Sequence, residues 1–154
     1  MPVTINVKVA GLDQMKRSIN NLAEKIEHPD DKFARRIGDA LLEDTDRRFM
    51  TRGYGTWPEN KPETVKRKGH GNVLIDSGAM MASTKVQRIG NNIKLTVPYG
   101  GKNHDSDVPD YHQEGRGHLP KRKIVEATSR LASALVATYA VWLRDIAASF
   151  GKGL

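Results

Sequence analysis

No cysteine occurs among the 154 residues. Disulfides, cysteine nucleophiles and thiolate metal sites are therefore excluded, and nothing argues for an oxidising compartment. The opening residues, MPVTINVKVAGL, lack the basic start and unbroken apolar core of a secretory signal. No stretch approaches the roughly 20 apolar residues that span a bilayer, so the expectation is a soluble protein made in the cytoplasm with no membrane partner. Catalytic signatures are missing too. Ser77, in Asp76-Ser77-Gly78, lacks the glycines of a Gly-x-Ser-x-Gly elbow. Gly53, Gly55, Gly69 and Gly71 precede no Gly-Lys-Ser/Thr and form no phosphate-cradling loop. There is no internal repeat, heptad array or low-complexity tract.

What the chain does have is positive charge and clear periodicity. Its formal net charge is +7, with the excess most visible in Arg47 to Lys68 and Arg116 to Lys123. Such patches suit a polyanion or an acidic protein surface, and equally a solvated surface that keeps the protein soluble. The length fits a single domain, 1–154.

Val3, Ile5, Val7 and Val9 alternate with polar residues, which predicts a strand with one buried face. From Leu12 the spacing turns helical through Met15, Ile19, Leu22 and Ile26, until Pro29 stops it. Asp30 or Asp31 then caps a second helix with Phe33, Ile37, Leu41 and Phe49 along one stripe. Arg47, Arg48 and Arg52 crowd its end, where cations suit the helix dipole.

The stretch from Thr56 to Ser83 organises the rest. Trp57-Pro58 is an apolar anchor followed by a helix breaker, and Pro62 restricts the chain again, so this part reads as extended or turning. The run from Thr64 to Lys68 is cationic, and Gly69-His70-Gly71-Asn72 reads as a loop tip. Residues 52–72 are expected to form a flexible loop. Asp76 or Ser77 caps a short helix carrying Ala79, Met80, Met81 and Ala82. Thr84 to Ile89 and Ile93 to Val97 flank Gly90-Asn91-Asn92, the pattern of a β-hairpin, and Pro98 ends the ladder. A polar loop is expected over about 100–110. A long amphipathic helix is predicted from near Ile124 to Phe150, its stripe of Leu131, Leu135, Tyr139, Trp142 and Ile146 serving core or subunit interface. The fold class is α+β: a small antiparallel sheet with N-terminal helices and a long C-terminal helix packed on it.

His104, Asp105, Asp107, Asp110, His112, Glu114 and His118 carry metal-ligating groups, but on a polar loop without the rigid spacing that fixes coordination. No metal, cofactor or catalytic residue is assigned. His112 reads instead as structural, on a helical turn closed by Gly115, with its imidazole bonded to the backbone near Pro120. Arg122 offers a forked guanidinium for a carboxylate on a neighbouring subunit, or for a salt bridge within its own.

Two blocks carry a resemblance. The first has Trp57, Thr64, Lys66 to Lys68, Leu74, Ser77-Gly78 and Ser83. The second has Tyr111-His112-Gln113-Glu114-Gly115, then Leu119-Pro120 and Arg122. Together they cover about half the chain and resemble the tailed-phage virion morphogenesis (tail completion) proteins. That resemblance implies a non-enzymatic structural component of head–tail joining, working with itself as a ring such as a hexamer. Tail tube, terminator and head-connector proteins would be its partners, with non-specific contact to DNA, and it would pass from host cytoplasm into the virion. An insertion separates Tyr99 from Tyr111, which departs from the family's pattern, as do Lys121 and Lys123 beside Arg122. Candidate interaction residues are Trp57, Lys66, Arg67, Lys68, His112, Arg116, Lys121, Arg122 and Lys123. The competing expectation is a basic DNA-binding protein or metal-dependent nuclease of a mobile element.

Overall fold

A computed structural model describes residues 12–98 and 108–150. The strand expected at Val3 to Val9 and most of the loop at 100–110 lie outside them. The architecture is α+β, and its spine is the second helix.

Helix α1 (Leu12–Glu27) and helix α2 (Asp31–Met50) are separated by Pro29, as the sequence predicts. Asp30 is the cap: its Oδ1 accepts the Phe33 N–H at 2.7 Å, satisfying one of the amides that the first turn leaves free. Strands β1 (Lys85–Ile89) and β2 (Asn92–Thr96) form a two-stranded antiparallel sheet. Ile89 pairs with Asn92, so the turn is the two residues Gly90-Asn91 rather than three. Gly90 takes φ +60°, a conformation that costs glycine nothing.

The hairpin lies on one flank of α2. Gly38 permits the approach, since a Cβ there would stand 3.0 Å from Val86 Cγ1. Arg88 locks the hairpin's far end, donating to Asp31 Oδ1 and to the Pro29 carbonyl at 2.7 Å each.

Helix α6 (Ser129–Phe150) packs along α2 and not across the sheet, which corrects the expected layering. Phe33 stacks on Trp142 with ring centroids 4.5 Å apart and meets Tyr139 edge-on at 5.9 Å. Phe33 and Gly38 point about 140° apart on the helix, so α2 carries α6 and the hairpin on different sides. A two-stranded sheet has too little surface to seat a long helix as well. The helix also starts later than Ile124. Thr128 caps it, its Oγ1 accepting the Leu131 N–H at 3.2 Å, and residues 121–128 before it are neither helix nor strand.

Of three short helices, one replaces part of an expected loop, and the one at 79–82 stands where the sequence predicts it. Helix α3 (Pro62–Lys68) corrects the flexible loop drawn over 52–72. Pro62 occupies its first turn, where a missing N–H is harmless, and Gly69 ends it at φ +75°. Helix α4 (Ala79–Ala82) follows Gly78, which takes the cap position without a side-chain bond. Ser77 Oγ still accepts the Ala79 N–H at 3.3 Å, while Asp76 turns to Arg67. Helix α5 (Val108–Glu114) ends as the sequence predicts, with Gly115 at φ +73° and its N–H on the Tyr111 carbonyl at 2.8 Å.

The core of the second half is Phe49, Trp57, Val73, Met80 and Ile124. Phe49 meets Trp57 edge-on at 5.9 Å. Leu74 and Ile75 pack against the same cluster.

A basic cleft between the central stretch and the 112–122 segment

The site begins at the end of α2. Arg52, Gly53, Tyr54 and Gly55 all have positive φ, between 54° and 80°. Four consecutive left-handed residues fold the chain back, and the Trp57 N–H reaches the Arg52 carbonyl at 3.0 Å. Non-glycine residues pay for this conformation, and tertiary bonds offset it. Tyr54 Oη donates to Asp44 Oδ1 at 2.8 Å, and the Tyr54 ring lies beside the Arg48 and Arg130 guanidinium groups.

Arg48 holds this turn to the segment before α6. It is 1% exposed, and its Nε donates to Asp44 Oδ2 at 3.0 Å. Its Nη1 reaches Glu126 Oε2 at 3.3 Å and the Lys123 carbonyl at 3.4 Å, and its Nη2 reaches the Glu126 carbonyl at 3.3 Å. The sequence reading placed this arginine at a helix end for dipole reasons alone. Only Asp44, four residues before it, hinted at a partner.

With 123–126 fixed, Arg122 turns the other way. Its Nε and Nη2 donate to the Pro58 carbonyl at 3.1 and 2.9 Å, and Nη2 also reaches the Glu59 carbonyl at 3.0 Å and Asn60 Oδ1 at 3.3 Å. No carboxylate takes this guanidinium among the described residues, neither in its own subunit nor within reach of the surface, because Arg122 is 5% exposed. The fork clamps main-chain carbonyls, a role distinct from both expected ones. Burial lowers its pKa from the ordinary value.

His112 stands beside it. The Arg122 N–H donates to the His112 carbonyl at 2.7 Å. The Pro120 backbone faces the His112 ring and acts to raise its pKa, the neighbour expected from the sequence. The ring Nδ1 is buried without a partner. Burial, and then the Arg122 charge, hold its pKa below the usual imidazole value. Next to it, Gln113 pairs both ways with the Val125 backbone, donating at 2.6 Å and accepting at 3.0 Å. Gly115 is required here, since a Cβ would come 2.9 Å from Lys121 Cβ.

These contacts leave a cleft of about 780 Å³ between residues 58–61, α3, the start of α4, α5 and residues 117–122. Arg67, Lys68, His112 and Arg122 all line it. Lys68 Nζ donates to the Asn72 carbonyl at 2.7 Å, and burial is the main cause lowering its pKa. The sequence named these four residues from separate runs, and the fold brings them together. Trp57 is instead a core residue, its Nε1 donating to the Lys123 carbonyl at 3.2 Å. Lys66, Arg116, Lys121 and Lys123 are exposed and do not line the cleft. Arg116 pairs with Glu114, and Lys123 with Glu126. Lys61, Leu74, Met80 and Leu119, which also line it, were not named as site residues. Leu74 and Leu119 belong to the two motif blocks, but nothing in the sequence marks Lys61 or Met80, and all four meet only through the fold.

Among the described residues no three His, Asp or Glu side chains gather as a metal site; His104, Asp105 and Asp107 lie outside them. Helix α6 does reach, over Ser129–Ser149, the length and apolar composition of a membrane-crossing helix, contrary to the sequence expectation. It is interrupted by Arg130, Arg144 and Asp145, and one face is taken by α2. Comparison of the chain with family models, with curated proteins and with solved structures finds no match.

Proposed function

We propose that this chain is a structural component of a tailed-phage or prophage virion, acting in tail completion and head–tail joining as a ring of identical subunits. The observation that carries the reading is an uncovered apolar surface on two helices. None of the residues 13–27 of α1 is buried. Met15, Ile19 and Ile26, at helical spacing, are 60%, 54% and 40% exposed. On α6, Val136, Tyr139 and Leu143 are likewise exposed.

A helix of α1's length is marginal by itself in water, and its apolar stripe gains stability only when something covers it. A neighbouring subunit does this. Repeating one such heterologous contact closes a ring, the form that a rotationally symmetric tail end requires. The motif blocks at Trp57 to Ser83 and Tyr111 to Arg122 support the same reading by their resemblance to virion morphogenesis proteins. Tail tube, terminator or connector proteins are then the neighbours, and the exposed lysines and arginines suit acidic protein surfaces or the passing DNA backbone.

The test is negative-stain microscopy of lysates from a phage or prophage lacking this reading frame alone. Full heads beside separate or over-long tails are expected. Normal infectious particles would overturn the proposal and bring DNA-binding and nuclease assays forward.

A further inference from the structure

The cleft at Arg122 carries more charge than its own residues answer. Four cations, Lys61, Arg67, Lys68 and Arg122, line it against two carboxylates, Glu59 and Asp76. Both carboxylates are already engaged at the rim, Glu59 by Arg52 at 3.7 Å and Asp76 by Arg67 at 3.4 Å. Arg122 is satisfied by carbonyls, which solvate a guanidinium but do not neutralise it. Beside it the buried Nδ1 of His112 has no partner. A buried polar atom left unpaired costs stability unless a ligand or water answers it.

Part of the remaining wall is apolar. Leu74, Met80, Val108 and Leu119 line the same cleft, and Leu119 is 39% exposed. The volume falls within the range of ligand pockets, about 300–1,000 Å³. Duplex DNA presents phosphates and sugars with its bases stacked, and has no free apolar side chain to insert against such a wall. A short peptide segment with an acidic side chain next to an apolar one matches both halves.

We infer that this cleft is a docking site for an acidic–apolar peptide segment of another protein, with Lys68 and Arg67 meeting the carboxylate and Leu74 and Leu119 the apolar side chain. Arg122 and His112 form the polar floor. The site does not depend on the virion reading, and would stand if that reading fell.

The test pans a random heptapeptide display library against the full chain. Three proteins are compared: the natural sequence, the Arg67→Gln/Lys68→Gln variant, and a Lys16→Gln/Arg17→Gln variant that removes the same charge from α1. Arg67 is well exposed, and Gln at 68 retains a donor, so the first variant keeps its fold. Selected peptides should pair Asp or Glu with a large apolar residue. Their synthetic counterparts should lose on the order of tenfold in affinity on the cleft variant, as loss of charge-assisted bonds implies, and keep it on the α1 variant. They should also move the His112 imidazole signals in long-range proton–nitrogen spectra. Equal loss on both variants would reduce the result to general attraction by a basic protein and overturn the site. So would enrichment without acidic residues, no enrichment, or unmoved His112 signals. A 20-base-pair duplex that moves those signals and competes with the peptides would overturn the peptide assignment in favour of nucleic acid.

Discussion

Arg48 and Trp57 converge on one acceptor: the main-chain carbonyl of Lys123 takes the indole Nε1–H at 3.2 Å and the guanidinium Nη1–H at 3.4 Å. One residue lies in α2 and the other beyond the left-handed turn that follows it. Their common target binds both to the segment leading into α6. The junction thus places the Pro58 carbonyl where Arg122 finds it, and so shapes one wall of the cleft.

Truncating Arg48 should be costly. Arg48→Leu leaves Asp44 buried with only the Tyr54 hydroxyl, and breaking a buried pair on one side costs about 3–5 kcal/mol. Urea unfolding is expected to show this loss, and the Asp44→Leu/Arg48→Leu double variant should recover a substantial part of it, because no charge is then stranded. A double variant as unstable as the sum of the two singles would mean that Arg48 acts through packing rather than through its charge.

Gly53 is the tightest point of the turn. A Cβ would come 2.3 Å from the Trp57 indole, at a φ of +65° that L side chains rarely adopt. Gly53→Ala should destabilise by at least about 2 kcal/mol, since both overpacking and backbone strain act. Gly55→Ala is the control. It has the positive φ without the clash, so its effect on the thermal midpoint should be the smaller of the two.

Arg122→Lys tests the fork. A lysine keeps the charge but cannot deliver two nitrogens to three main-chain and amide acceptors, and about 2 kcal/mol should be lost with the bonds to Pro58, Glu59 and Asn60. Amide exchange measured across residues 58–61 should accelerate. Protection unchanged from the natural protein would show that the loop holds its shape without the clamp.

His112 predicts a pH effect of definite sign. Its folded-state pKa lies below the ordinary imidazole value, which is about 6.5. Above that value the ring is neutral folded and unfolded, and its contribution is complete. As pH falls below it the unfolded chain takes the proton first, so stability declines until the lower folded-state value is passed. The stability gap between the natural protein and His112→Gln should therefore narrow between pH 7.5 and 5.5 in urea titrations. A constant gap would contradict the buried neutral imidazole.

The uncovered stripes of α1 and α6 give a prediction about mass. In multi-angle light scattering the full chain should run as an oligomer, and Ile19→Glu or Val136→Glu should shift it toward monomer. Val136→Glu should keep its helix content, whereas Ile19→Glu should lose some of it, because an α1 without its cover is marginal in water. An unchanged mass in both variants would remove these faces from any subunit contact.

Much of this fold was legible in one dimension. Apolar spacing of three and four residues marks α1, α2 and most of α6. Alternation around Gly90-Asn91 marks the hairpin, and Asp30 announces the start of α2. Helix α3 escaped because Pro62 and a run of cations read as a loop, although proline suits a first helical turn. Ile124 and Val125 read as part of α6 because apolar residues extend its pattern upstream, whereas Ile124 is a buried core residue of the irregular segment before it.

The sequence by itself determined the elements, because cap chemistry and hydrophobic period act between residues a few positions apart. It also set the excess of positive charge and the absence of cysteine chemistry. Tertiary structure alone decided which charges are surface and which are core. Arg48 is marked only by Asp44 four residues before it and Arg122 by the motif around it, and only the fold surrounds them with carbonyls from residues more than sixty positions away. Main-chain acceptors have no signature in a sequence, since every residue carries one. Where the chain bends back decides which of them a buried guanidinium will meet.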